Sequence, residues 1–207
     1  MIKMSITLKY ILIGLGFIFV IIGFGIFTIN TMIASAFGFL DKNYSVSELK
    51  EEYYSNEKEI DELILYFNTI KPKDKIVSIE FKDDEIIGRL AIRNNGVGKK
   101  FFQSWNFNKE VLITPDIKNM LGWDLETIEI LKEKLDNADC ISIEDGEPIK
   151  IGFKRGGMGM YSFDVFQNKL TDRNNFNNNC QYILVNNKFA LEYGGGAVGP
   201  QCFQNFK

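Results

Sequence analysis

The hydropathy pattern changes once along the chain, near residue 40. From Tyr10 to Leu40 no side chain is charged, and residues 10–29 are almost wholly apolar. Twenty such residues in a helix rise about 30 Å, which matches the hydrocarbon core of a bilayer. The pattern predicts a membrane span over residues 10–31, preceded by a short segment 1–9 and followed by a linker 32–44. Beyond it, Val46, Tyr53, Ile60 and Phe67 recur every seven residues, as do Leu49, Asn56, Leu63 and Ile70. A single amphipathic helix over 45–70 is expected. Ser45 and Glu48 are spaced as a capping box, and Pro72 acts as the stop. The stripe fits either a coiled-coil dimer or a helix lying on a sheet. Ile64 and Tyr66 widen it, which favours the sheet.

Period-two alternation then takes over. In residues 75–82, Val77, Ile79 and Phe81 alternate with Ile76, Ser78 and Glu80, which reads as a strand. Asp83-Asp84 turns the chain and residues 86–93 bring it back. Asn94-Asn95-Gly96 signals a hairpin into residues 99–108, where Phe101, Trp105 and Phe107 fall on one face, expected to be core. Thr114, Pro115 and Asp116 open a short helix. Asp124 caps a clearer one at residues 125–135, with Leu125, Ile128, Leu131 and Leu135 on one side. Strand-like runs follow at 140–143, 149–154, 160–166, 181–185 and 188–193, expected as an antiparallel meander. The segment 173–179, RNNFNNN, is polar enough to stay at the surface. No repeat of fixed period is evident. Strands in blocks separated by helices give an α+β fold: an N-terminal transmembrane helix, then a single domain over residues 45–207 with an antiparallel β-sheet and two or three packed helices.

Charge gives the span a direction. Lys3 and Lys9 precede it, while Asp41 and Lys42 are the first charges after it. The amino terminus is therefore expected in the cytoplasm and the domain outside, as a signal-anchor. Ala34-Ser35-Ala36 resembles a signal-peptidase site, so cleavage after Ala36 is the alternative. With 24 basic and 27 acidic residues the net charge is −3. That leaves no basic excess for a phosphate backbone, and no nucleic-acid partner is expected. The chain has no histidine. This excludes Ser-His-Asp and Cys-His nucleophile arrangements and the usual imidazole metal ligands.

Two glycine clusters stand out. Gly194 to Gly199 spells G-x-G-x-x-G, the pattern of a dinucleotide-binding turn. Its context is wrong, because Pro200 follows where a helix should begin and no acidic residue lies some twenty positions on. The better reading is a turn that carries Cys202 back towards the sheet. Cys180 opens the penultimate strand, so a Cys180–Cys202 disulfide with Cys140 free is expected for an extracytoplasmic domain. The second cluster offers Lys154, Arg155, Gly156, Gly157 and Tyr161 as a candidate anion-binding turn. An aromatic face at Phe101–Phe107 could instead hold a glycan. Carboxylates alone could do acid–base work, and Glu80, Asp83, Asp84, Glu85, Glu144 and Asp145 are candidates by type. Their spacing singles out no pair. No catalytic residue, metal or cofactor is expected. The leading expectation is a membrane-anchored domain that binds a protein partner in the envelope as an accessory, assembly or immunity-type factor. The alternatives are a small-ligand module for an anion or glycan, a carboxylate-only hydrolase, and a self-dimer.

Overall fold

A computed structural model describes residues 6–36, 38, 41–94, 101–157, 159–169, 172–177, 180–195 and 199–203. It has two compact units, residues 1–42 and 43–207. The first is a single helix, α1 (Ile6–Ala36). Within it Gly14–Ala34 has a mean hydropathy of 2.2, and none of that stretch is buried. It is long and apolar enough to cross a membrane. The helix runs five residues into the expected linker, because no charge, proline or glycine interrupts it there and the Thr31 hydroxyl is satisfied by Phe27 O. Lys3 lies outside the described residues.

The second unit is α+β. It comprises α2 (Val46–Ser55), α3 (Glu57–Ile70), β1 (Lys75–Phe81), β2 (Ile86–Asn94), β3 (Phe101–Asn108), α4 (Pro115–Leu121), α5 (Leu125–Asn137), β4 (Ser142–Glu144), β5 (Ile149–Gly156), β6 (Gly159–Val165), β7 (Tyr182–Leu184) and β8 (Phe189–Gly194). The expected helix over 45–70 is broken. Its start is as predicted: Ser45 Oγ accepts from Glu48 N, and Glu48 returns a carboxylate to Ser45 N. The break falls at Asn56, whose side-chain amide donates to Glu52 O at 3.0 Å and whose backbone leaves helical geometry. Asparagine competes with the helix in this way through its own short amide. The apolar stripe survives the kink, and Leu49, Tyr53, Ile60, Leu63, Ile64 and Phe67 are all buried in the domain's core. The heptad seam is therefore spent on packing inside the domain.

All eight strands form one antiparallel sheet in the order β3-β2-β1-β4-β5-β6-β8-β7. β1 and β4 meet at its centre, with Ile79 opposite Ile143. From that centre each half runs helix then three strands outwards: α3-β1-β2-β3 on one side and α5-β4-β5-β6 on the other. The chain thus repeats a topology that its sequence does not betray as a fixed period. The expected meander fails at the end, since β8 inserts between β6 and β7 and pairs with both. The sequence Phe189–Gly194 is apolar at nearly every position and fully buried, as a strand flanked on both sides needs, whereas β7 is short and half-exposed. The hairpin signal at Asn95-Gly96 lies outside the described residues.

One face of the sheet carries the helices. Val77 and Ile79 of β1, Leu90 and Ile92 of β2, Ile143, Phe153, Phe163 and Leu191 join the helix residues in a continuous core. α3 packs on α5, where Tyr66 donates to Thr127 O and the buried Trp123 indole to Ile70 O at 2.9 Å. The predicted cap of α5 is in place, with Asp124 Oδ1 accepting from Thr127 N. Thr114 stands at the start of α4, but its hydroxyl bonds back to Val111 O rather than capping. Cys180 and Cys202 form a disulfide with Cα atoms 4.6 Å apart, and Cys140 is free and buried. Phe203 then packs against Tyr161 and Tyr193, so the chain after the glycines is strapped to the sheet.

A candidate binding cleft on the open face of the sheet

The helices cover one face only, and the alternate positions of the strands build the other. Ser78 and Glu80 of β1, Arg89 of β2, Gln103 and Trp105 of β3, and Ser142 and Glu144 of β4 point there. Lys150 and Arg155 of β5, Met160 and Ser162 of β6, and Glu192 of β8 complete the set. They enclose a cleft of about 440 Å³. That lies within the range of small-ligand pockets, about 300–1,000 Å³. Ser78, Glu80, Lys150, Ser162 and Glu192 each sit between two core residues of their own strand, so the pleat sends them to the opposite side.

Three irregularities decide which residues arrive. Between β1 and β2 the register shifts after the Glu80–Arg89 pair, so that Ile87 and Leu90 are both core and Arg89 faces the cleft. In β5 the register shifts between Gly152 and Lys154. Lys154 thereby leaves the cleft, lies over the Phe153 ring and pairs with Asp139, while Arg155 enters the cleft. In β3 Asn106 adopts φ 50°, a left-handed conformation that asparagine tolerates. Parity changes there: Phe107 packs on the core, but Trp105 turns out and is 57% exposed. The expectation that Trp105 is core is thus corrected, and the side chain of Phe101 lies outside the described residues. Gly152 matters for room. A methyl group on it would run into Ser142 Oγ and Met160 Sδ, which meet over it.

The charges are paired with one exception. Arg155 grips Glu80 with both ends of its guanidinium, Nε to Oε1 at 2.8 Å and Nη2 to Oε2 at 2.7 Å. Glu144 accepts from Ser78 Oγ at 3.1 Å and lies 3.7 Å from Arg93. Lys150 Nζ is 2.5 Å from Glu192 Oε2, and Gln181 and Tyr182 donate to Glu192 Oε1. Arg89 has no ion pair or hydrogen-bond partner among the described residues. Asp164 lies beside Lys150 on β6, 1% exposed, with both carboxylate oxygens buried and without a hydrogen bond among the described residues. Burial, reinforced by the neighbouring Glu192, pushes its carboxyl well above the usual carboxylate range. Burial opposes the charge on Lys150, but Asp164 and Glu192 outweigh it and hold the ammonium above the ordinary lysine value.

The turn expected to bind an anion does not assemble as one site. Lys154 is turned to Asp139, and Arg155 serves the cleft. Gly156 leaves space for the Tyr161 ring and accepts a hydrogen bond from Tyr193. Gly157 makes the turn with φ 58°. Tyr161 is buried, stacked on Tyr193 with ring centroids 4.2 Å apart. Met158 of that segment lies outside the described residues. Of the carboxylate candidates, Glu80 and Glu144 reach the cleft. Asp83 holds its own turn by accepting from Glu85 N and Ile86 N, Asp84 pairs with Lys132, Glu85 with Lys109, and Asp145 with Lys71. Among the described residues no group of three or more acids or cysteines could hold a metal ion. At the Gly194–Gly199 cluster, Gly194 bridges to Pro200 and no helix begins among the described residues; residues 196–198 lie outside them.

Arg89, Gln103, Lys150, Ser162, Asp164 and Glu192 were not singled out from sequence. Their signal is a lone polar residue inside an apolar strand, as in MYSFDV and FALEY. It becomes readable only once the helices are known to cover a single face. No protein-family model, no curated protein and no solved structure matches this chain.

Proposed function

We propose that this protein is a membrane-anchored, extracytoplasmic binding domain that takes a small polar ligand into the open-face cleft. The carrying observation is the cleft itself: an ion-lined hollow with one unpaired guanidinium and one exposed indole. A solvated surface has no use for a half-buried arginine without a partner, because desolvation is then uncompensated. The uncharged helix behind Lys3 and Lys9 supports an anchor with the amino terminus inside. The Cys180–Cys202 disulfide supports an oxidising compartment. Binding is preferred to catalysis because the carboxylates lining the cleft are all engaged by cations or donors. A general base must be free to take a proton. Asp164, buried without a hydrogen bond among the described residues, is not part of the cleft lining.

The test uses the full chain in detergent or nanodiscs, with the indole N–H signals of its two tryptophans as reporters. A panel of sugars, amino acids, nucleotides and short peptides is titrated. The Trp105 signal should shift with at least one class while buried Trp123 stays still. No response at Trp105 to any class refutes the cleft as a binding site.

A protein partner is the second reading, favoured by one observation. β3 is eight residues long and ends the sheet, so its outer edge, unpaired among the described residues, could take an added strand. Photo-cross-linking from β3 in the native membrane should then capture a stoichiometric partner. Recovery of the chain alone counts against this reading.

A further inference from the structure

We infer that the ligand of the cleft is an acidic saccharide, with its sugar ring on the Trp105 indole and its carboxylate in the Arg89 guanidinium fork. This rests on the cleft being a binding site, as proposed above. The argument starts from register. Arg89 lies opposite Glu80 on β1 and opposite Trp105 on β3, so the three form one row across the sheet. Both oxygens of Glu80 already accept from Arg155, so its charge is committed there. The lining itself balances three acids with three cations, but Glu80 is taken by Arg155, Glu192 by Lys150, and Glu144 is shared with Arg93 outside the lining, so Arg89 is the lining cation without an ion pair among the described residues. The cleft therefore calls for a single anionic group. Several anionic groups in a row would meet the paired carboxylates and be repelled.

The neighbours then narrow the kind of ligand. A guanidinium presents two parallel N–H donors, which match a carboxylate as they match a phosphate. The neighbouring group is the flat face of an indole, more than half exposed beside polar side chains. An indole offers a broad apolar surface of that kind, and stacks on planar or weakly polar ring faces. Besides the ion pairs, Gln103, Ser78, Ser142 and Ser162 supply neutral donors and acceptors. Those suit hydroxyl groups. A ring with an apolar face, several hydroxyls and one carboxylate is a uronate-type sugar. The volume of about 440 Å³ has room for one or two such rings. A free sugar acid and a residue within a glycan share this chemistry.

The test compares methyl glucuronoside with methyl glucoside, which differ in the carboxylate alone, on full-length protein in nanodiscs. Calorimetry and tryptophan fluorescence are the readouts. The uronoside should bind at least tenfold more tightly than the glucoside. Arg89→Gln should abolish that preference, and Trp105→Phe should remove the fluorescence response. Arg89 has no partner among the described residues and its desolvation is uncompensated, so Arg89→Gln should unfold at or above the wild-type temperature. A uronic acid trisaccharide separates the sources: tighter binding than the monomer means a glycan, equal binding a free sugar acid. Equal affinity for uronoside and glucoside, or an unaltered preference in Arg89→Gln, overturns the inference. So does silence towards all sugars. If other members of the panel above still move Trp105, the cleft reading stands and only the saccharide falls. If nothing moves Trp105, both fall.

Discussion

Opening the Cys180–Cys202 disulfide should cost a large part of the domain's stability. The bond closes a loop with a sequence separation of 22. In the chain-entropy account, cross-linking a loop of that length lowers the entropy of the unfolded chain enough to stabilise the fold by about 3 kcal/mol. Its native neighbours hold the same strap: Phe203 N donates to Cys180 O at 3.0 Å, Gln201 N to Tyr193 O, and the Phe203 ring is buried. Those contacts keep the reduced strap in place, so the native state should change little and the loss should lie in the unfolded state. For a domain of this size, 3 kcal/mol corresponds to a fall in Tm of about 10 °C. The assay is urea unfolding of the Cys180→Ser/Cys202→Ser variant against oxidised wild type, followed by tryptophan fluorescence. Buried Trp123 reports the core. A loss below about 1 kcal/mol would refute the reasoning, and would mean that residual structure already restricts the unfolded chain. A loss well above 5 kcal/mol would refute it from the other side, showing that the strap detaches and the core opens.

Asp164→Asn should stabilise the domain increasingly as pH rises. The folded-state pKa lies above the unfolded value of 3.8, so the contribution of Asp164 is fully present below about pH 4 and is lost as pH climbs towards the folded pKa. The variant should match wild type at pH 4 and gain about 1.4 kcal/mol per pH unit above it until the folded pKa is reached, measured by urea unfolding across pH; parallel curves would refute this. Trp105→Phe should change stability by less than about 0.5 kcal/mol, as at other exposed sites. Trp123→Phe strands the Ile70 carbonyl and should cost about 1–3 kcal/mol, again by urea unfolding. Cys140 should resist alkylation in the native oxidised protein and react in urea, read by mass spectrometry, because burial holds its thiol well above the ordinary value.

The local elements were largely legible. The capping box at Ser45, the aspartate at the start of α5, the alternation in β1 and the turn at Asp83 all depend on residues within a few positions of one another. The Cys180–Cys202 pairing was also readable, because a hairpin and a glycine turn limit where Cys202 can go. Failures cluster where a single residue changes backbone geometry. Asn56 breaks a helix that its heptads would continue. Asn106 reverses the parity of β3 and exposes Trp105. The shift after Gly152 sends Lys154 and Arg155 to different neighbours, which dissolves the expected anion turn. Each is a choice between conformations of similar local energy, decided by what packs on the strand.

By itself, then, the sequence determines the apolar helix, the α+β class, most element boundaries and the lack of imidazole chemistry, since these follow from composition and short-range periodicity. Only the tertiary structure decides that the helices cover one face of the sheet, that β8 lies between β6 and β7, and that Arg89, Trp105, Glu80 and Arg155 share a cleft. Those residues are up to 75 positions apart. Strand order and register bring them together, and both are set by burying the whole core at once, a condition that no local stretch of the chain contains.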